Sequence, residues 1–423
     1  MYKEKWKFIA EAMEELSADH IIRYPRERDK KYKARKEIAY YINAIHPAVS
    51  LFVGYLQKET PERDIPGNLL PLILDDCDKR NNDIDVFFSG FFKNAKARGC
   101  NLLLVDMPDQ IPNNKQDQIE QRAVPYFVEI LPETVHSYKM NQFGDFEWII
   151  IEEQVKEQEL FGKAETTTQY RYFDRQKWAI YDKDLNVTEQ NEHNLGVCPV
   201  VALSETGKFP TLGEFSQIPR LSKRLMNLYS ELDEILRSQT FSLLTMEQPA
   251  VPVGENETIT ISTDNALFFE NNRPEFIAPP AGPAETYQKQ IEKLENVIDK
   301  KSYMAIQDGV GESGKAKEYR FQALNNSLSA FAHKTEDFER KVWDIVCKWL
   351  NISNETSVSY KKDFNIKDLM TEIEIANGMT ALNIGKKYEA AKKKQLVSLD
   401  LESLENEDMQ DIFDEIDDGV KEV

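Results

Sequence analysis

The sequence has no apolar run approaching the roughly 20 residues that cross a bilayer, so a membrane-spanning protein is not expected. Its start, MYKEKWKFIAEAMEEL, mixes charge with apolar residues at helical spacing and lacks the apolar stretch of a secretory leader. Cysteine is scarce. Cys77, Cys100, Cys198 and Cys347 lie far apart with no CxxC pair, which excludes a disulfide scaffold or a zinc ribbon and leaves reduced, half-buried thiols as the expectation. The five histidines, His20, His46, His136, His193 and His333, form no HxxxH or HxxH pair, and no cysteine stands close enough to complete a metal ligand set. No GxSxG elbow is present, and acidic doublets such as Asp75-Asp76 and Glu152-Glu153 are expected by composition in so acidic a chain. Basic charge is also short: 53 Lys and Arg against 73 Asp and Glu give a formal net charge of −20. Phosphate neutralisation supplies most nucleic-acid affinity, so this balance excludes a protein whose whole surface grips DNA.

What remains is a chain of 423 residues, 41% hydrophobic, long enough for two or three domains with real cores. Charge is unevenly placed. Arg23 to Lys36 is basic, whereas Asp400 to Glu422 carries acidic residues against Lys421 alone. The plain readings are a solvated helix face and a frayed acidic tail.

Residues 37–105 read as helical, with Phe87, Phe91, Phe92 and Ala95 at helical spacing before Gly99 stops the helix; 101–106 (NLLLVD) then reads as one buried strand. From 124 to 201 short β-rich runs at 126–131, 134–140, 147–155, 168–173 and 178–182, separated by turn signals such as Phe143-Gly144-Asp145, predict a domain of mostly antiparallel hairpins. After Pro219, Leu221, Leu225, Leu228, Leu232, Ile235 and Leu236 alternate steps of four and three, which predicts one long helix to about Met246. The proline-rich stretch that follows holds three short strand candidates at 258–262, 266–270 and 275–278. A second helix carries Tyr287, Ile291, Leu294 and Ile298 on one narrow stripe. The glycine-rich QDGVGESG at 307–314 then leads into a third helix, to about Leu350, with Phe321, Leu324, Leu328, Phe331, Phe338, Val342, Ile345 and Trp349 on its apolar positions. A strand at 357–360 and helices interrupted near Gly378 and Gly385 complete the chain. The fold class expected is α+β.

Gly309 to Ala316 (GVGESGKA) matches the GxxxxGK of a nucleotide-binding loop but ends in Ala316, where Ser or Thr must ligate magnesium, and a helix rather than a strand is expected before it. A mobile helix connector is the better reading, and no cofactor or metal is expected.

The order of elements, together with two short motifs, resembles the portal proteins of tailed double-stranded-DNA bacteriophages. His193 to Val201 (HNLGVCPVV) is similar to the segment closing the family's wing, and Ser313-Gly314-Lys315-Ala316, running into Tyr319 and Leu324, is similar to the start of its long wing helix. The resemblance implies a wing at 1–210, a stem at 211–246 and 284–306, a clip at 247–283, a tunnel loop at 307–316, a long wing helix with its return strand at 317–375 and a short helical crown at 376–423. It implies a non-enzymatic subunit of a closed ring, a dodecamer in the family, at one capsid vertex, serving genome packaging, retention and ejection. Its expected partners are copies of itself, double-stranded DNA passing weakly, the terminase motor, a head-tail adaptor and the major capsid protein. Its expected location is the virion, reached from the host cytoplasm during assembly. On this reading Gln307, Asp308, Gly309, Gly311, Glu312, Lys315 and Lys317 line the channel, and Pro249, Pro252, Phe268, Phe269, Phe276 and Pro279 serve docking at the clip. A P-loop-type packaging ATPase and a coiled-coil scaffold or adaptor unrelated to DNA are the competing readings.

Overall fold

The computed structural model describes residues 2–25, 27–66, 69–108, 112, 114–157, 165–240, 243–245, 275–277, 282–304, 314–364, 386–400 and 406–421. Two compact units divide the chain, one comprising 1–305 and 334–359, the other 306–333 and 360–423.

The first unit begins with helices α1 (Tyr2–Glu14), α2 (Asp29–Ile38) and α3 (Ile45–Leu56). On α1, Trp6, Ile9 and Ala12 recur at a three-residue step and are buried, while the Trp6 indole donates to the carbonyls of Arg98 and Thr211 at 3.3 Å. A short strand β1 (Glu62–Asp64) and helix α4 (Pro71–Asp75) lead to α5 (Ile84–Arg98). The carboxylate of Asp83 caps α5 by accepting from the Val86 amide at 2.8 Å, and Gly99 closes it in the left-handed region at φ 92°. Strand β2 (Cys100–Asp106) follows at once, buried from Cys100 to Val105. After α6 (Lys115–Glu120) come β3 (Tyr126–Ile130), β4 (Val135–Met140), β5 (Phe146–Glu157), β6 (Glu165–Phe173), β7 (Lys177–Tyr181), β8 (Val187–Glu192) and β9 (Val200–Ser204).

These strands make two antiparallel sheets rather than one. The first has the order β3-β2-β9, and the second is a sequential meander from β4 to β8. Leu102, Leu104, Ile130, Phe146, Ile149, Ile151, Phe173 and Val200 form one core cluster that draws on both sheets. Phe88, Phe91, Phe127, Phe338 and Trp343 form a second group of ring contacts, with Phe91 and Phe338 stacked at 5.1 Å. The expected 126–131, 134–140, 147–155, 168–173 and 178–182 strands are all present within a few residues. Strand β8 was not expected, because VTEQNE carries no apolar alternation and every residue of it is exposed.

Helix α7 (Ile218–Thr240) ends earlier than the expected Met246. Strand β10 (Leu243–Thr245) follows it and pairs antiparallel with β11 (Glu275–Ile277), in the register Leu243↔Ile277. The 258–262 and 266–270 strand candidates lie outside the described residues. Helix α8 (Gly282–Lys301) buries Ala284, Ile291, Leu294 and Ile298; of the stripe anticipated from sequence, Tyr287 is only half-buried. Helix α9 (Gly314–Trp349) is roughly 54 Å long at 1.5 Å per residue. Its residues from Lys334 onward belong to the first unit. There Glu339, fully buried, accepts from Arg63 at 2.6 Å and from the Trp343 indole at 3.1 Å, and β12 (Ser357–Ser359) pairs with β1.

In the second unit the first half of α9 buries Phe321, Leu324, Leu328 and Phe331, and the Phe364 amide donates to Asn325 at 2.7 Å. Helices α10 (Lys386–Asp400) and α11 (Asn406–Lys421) pack together, with Lys394 bound to Asp417 at 2.7 Å and its ammonium 5.5 Å from the Phe413 ring centre. The described part of the acidic end, Asn406–Lys421, is therefore helical rather than a frayed tail, with Asp417 ion-paired. Gly378 and Gly385 lie outside the described residues.

Candidate functional site

Helices α7 and α8 are the most closely associated helix pair in the described structure, and their contacts fix its direction. Tyr229 donates to Glu295 at 2.6 Å, the Tyr287 hydroxyl bonds Glu231, and Leu243 lies opposite Ile277. Numbers rise on one strand of the pair as they fall on the other, so the helices run antiparallel and the β10–β11 ladder continues them. The opposite end is held where Phe215 meets Tyr303 at 6.1 Å and the Tyr303 hydroxyl donates to Glu214. The result is a helical hairpin with a small strand pair at one end, from which the chain departs at 245 and returns at 275.

The two helices are held differently. Leu225, Met226, Leu228 and Leu232 of α7 are buried, and so are the polar Ser222, Asn227, Ser230 and Glu231; Leu236, on the expected stripe, is exposed. Sequence periodicity cannot reveal the polar set, because its partners come from distant residues. Asn227 accepts from the Ile22 amide at 2.8 Å and donates to the His20 carbonyl at 3.2 Å. Arg35, buried at 1% exposure, donates to Glu27 at 2.7 Å and to the Ile22 carbonyl at 2.7 Å, and lies 4.7 Å from the Tyr24 ring. Burial and the hydrogen bond to Glu231 push the Tyr24 phenol well up, and burial does the same to Tyr287. Part of the basic segment thus anchors the N-terminal helices to α7 and is not a simple solvated face.

Of the expected channel residues, Gln307, Asp308, Gly309, Gly311 and Glu312 lie outside the described residues, while Lys315 and Lys317 fall in the first turns of α9. Gly314 opens that helix, in keeping with the motif read there. Of the expected clip residues, Pro249, Pro252, Phe268, Phe269 and Pro279 lie outside the described residues, and Phe276 is the middle residue of β11. Phe276 thus stands on the strand pair that ends the hairpin, opposite Leu244.

Other chemistry is structural. All four cysteines are buried, not half-buried as expected. Burial pushes the Cys100 and Cys198 thiols up to about 12, so neither is a ready thiolate. Lys96 is held by Glu205 at 3.0 Å and Glu214 at 2.9 Å beneath the Phe52 ring at 3.9 Å, a buried charge that is paired on every side. Among the described residues no group of His, Cys, Asp and Glu could hold a metal ion, and no helix is long and apolar enough to cross a membrane.

No family model and no curated protein matches the sequence. Among solved structures the chain is similar to a chain in the neck of an empty gene transfer agent particle computed with C6 symmetry, at 9% identity and a TM-score of 0.44, covering 87% of this chain and 94% of that one. It is also similar to a chain in the virion of a native gene transfer agent particle, at 10% identity and a TM-score of 0.39, covering 96% and 98% respectively. At these values the likeness carries no argument about function.

Proposed function

We propose that this chain is a structural, non-enzymatic portal subunit of a phage-like particle, one copy of a closed ring through which double-stranded DNA passes. The observation that carries the reading is the antiparallel α7–α8 hairpin, continued by the β10–β11 ladder and followed by the 36-residue α9 opening at Gly314. A compact catalytic domain has no need of such a rod, whereas a ring subunit needs helices with one stripe for its own body and others for neighbours and lumen. The competing nucleotide-binding loop requires a strand before it, and the described residues there are helix α8.

On this reading α7 and α8 are the stem. Residues 247–283, with Pro249, Pro252, Phe268, Phe269, Phe276 and Pro279, form the clip that docks the motor and the adaptor. Residues 307–316 are the tunnel loop, where Gln307, Asp308, Gly309, Gly311 and Glu312 line the channel and Lys315 and Lys317 make transient phosphate contacts. A net charge of −20 suits DNA that must slide, because repulsion keeps the duplex centred and a few lysines make only weak contacts. A ring of this kind sits in the virion at a capsid vertex. Negative-stain images of the purified protein are expected to show closed rings with a central hole. Single particles or open filaments at all protein concentrations would reject the proposal.

A further inference from the structure

The stretch around α2 joins two helices that are fastened by apolar burial, yet it has little such burial of its own. Helix α1 before it buries Trp6, Ile9 and Ala12, and α3 after it buries Ile45, Val49, Phe52 and Val53. Within α2 the buried residue is Arg35. Apolar contact comes from Tyr32 and Ala39, each only half-buried against the cluster that holds Met226.

The contacts that lay this stretch on α7 are polar. The Ile22 amide donates to Asn227 at 2.8 Å, Arg35 donates to Ser230 at 3.4 Å, and Lys31 bonds Glu234 at 2.7 Å. Its buried charge is balanced internally. Arg35 takes its carboxylate from Glu27 at 2.7 Å and a carbonyl from Ile22 at 2.7 Å, and Arg23 pairs with Asp29. On the α7 side, Asn227 also donates to the Lys223 carbonyl at 2.9 Å, and Ser230 to the Asn227 carbonyl at 2.9 Å. Separation therefore leaves the guanidinium with its own carboxylate and uncovers polar groups that water can serve, not apolar surface.

We propose that residues 22–40 form a reversible strap, closed over the polar side of α7 by hydrogen bonds and ion pairs and released when these are screened, while α1 and α3 stay in place. Its ends are tethered: Ile21 is buried, and Tyr41 and Asn43 donate to the carbonyls of Ala12 and Met13, each at 2.8 Å. A tethered strap recloses within its own molecule, so release is a local opening and not unfolding. The strap also reaches the contacts that fix α8. The Tyr40 ring lies 5.3 Å from that of Tyr229, whose hydroxyl bonds Glu295, so opening is felt at the α7–α8 pair and bares Asn227 and Ser230 on α7. None of this depends on the ring reading.

The test is amide hydrogen exchange on the full-length chain at fixed pH. Raising NaCl from about 0.1 M to about 1 M shortens the screening length from about 10 Å to about 3 Å. Exchange in α2 is expected to rise roughly tenfold, with α1 and α3 unchanged. Lys31→Glu is expected to raise it roughly fivefold at low salt, because one surface ion pair turns repulsive while glutamate in the first turn favours the helix itself. Lys31→Glu/Glu234→Lys is expected to restore protection. A thiol probe separates lifting from fraying of α2: in Ser230→Cys the new thiol, at a position 1% exposed against Arg35, is expected to react with a maleimide faster at high salt, while the four native thiols stay buried. Exchange in α2 that ignores salt, that rises only together with α1 and α3, or that the paired reversal fails to restore would overturn the strap. A Ser230→Cys thiol equally masked at both salt concentrations would overturn it too.

Discussion

Strands β2 and β8 are both short and antiparallel, yet they are specified by opposite means. Strand β2 is the middle of its sheet and buried from Cys100 to Val105; its run of leucines has no alternation because one face joins the two-sheet core and α5 packs close by. Strand β8 is the last strand of the meander, exposed at all six residues and paired only with β7. Burial specifies β2, and the ladder alone specifies β8.

The comparison breaks most violently at the turn that feeds β2. Gly99 sits at φ 92°, and a Cβ there would lie 1.9 Å from the Gly213 nitrogen and 2.4 Å from the Leu212 carbonyl carbon, with no flexible side chain to yield. Gly144, in the exposed hairpin between β4 and β5, has φ 87° but nothing within 4 Å of a Cβ. Gly99→Ala is therefore expected to cost about 3 kcal/mol or more, strain and backbone clash together, whereas Gly144→Ala costs only the left-handed strain of about 1 kcal/mol. Denaturant midpoints of the two variants measure the difference. Equal midpoints would mean that the close approach of Gly99 to Gly213 is not constrained.

The same contrast governs what the sequence makes legible. Leu102 to Val105 announce a buried strand, Phe91, Phe92 and Ala95 a helix face, and Ile291, Leu294 and Ile298 a one-sided helix, because burial leaves a periodic record in residue type. The Gly99 stop was equally plain. Strand β8 left no record, since VTEQNE is chosen by neither face. The early end of α7 was hidden for a related reason: Leu243 and Leu244 continue an apolar pattern that a helix or a strand can use, and only the partner β11 decides between them. Arg35, Asn227 and Glu231 were illegible as a group because their contacts span far-separated residues, as where Asn227 accepts from the Ile22 amide.

A smaller effect is expected just past the end of β8, where the exposed strand meets the buried body. His193 lies against the Trp349 ring at 5.8 Å, and its Nδ1 accepts from the Leu195 amide at 3.3 Å. Burial lowers its pKa from the ordinary 6.5, although Asp174 and Asp106 pull the other way. The unfolded chain therefore binds this proton more readily than the folded one. Stability contributed by the neutral ring is present above pH 6.5 and is lost as pH falls through the window between 6.5 and the lowered folded value. The His193→Asn variant is expected to have a shallower fall in stability across that window, by at most the slope of one proton, about 1.4 kcal/mol per pH unit. Denaturant midpoints of both proteins from pH 7.5 down to about pH 5 measure it. Parallel profiles would show that the imidazole titrates alike in both states.

The smallest effect is expected on β8 itself. Val187 is 49% exposed and lies opposite Tyr181 at an irregularity in the β7–β8 register, so its side chain loses little water on folding. Val187→Thr keeps the β-branched shape that a pleated strand favours and exchanges a methyl for a hydroxyl in contact with solvent. The change in folding stability is expected to stay within about 0.5 kcal/mol, the usual range for surface positions without a cap, charge pair or strained backbone. A loss of about 2 kcal/mol or more, in a chain kept monomeric by dilution, would mean that Val187 is covered in the folded subunit and that β8 is specified by burial after all. A loss seen only at protein concentrations where copies associate would instead locate that burial between copies.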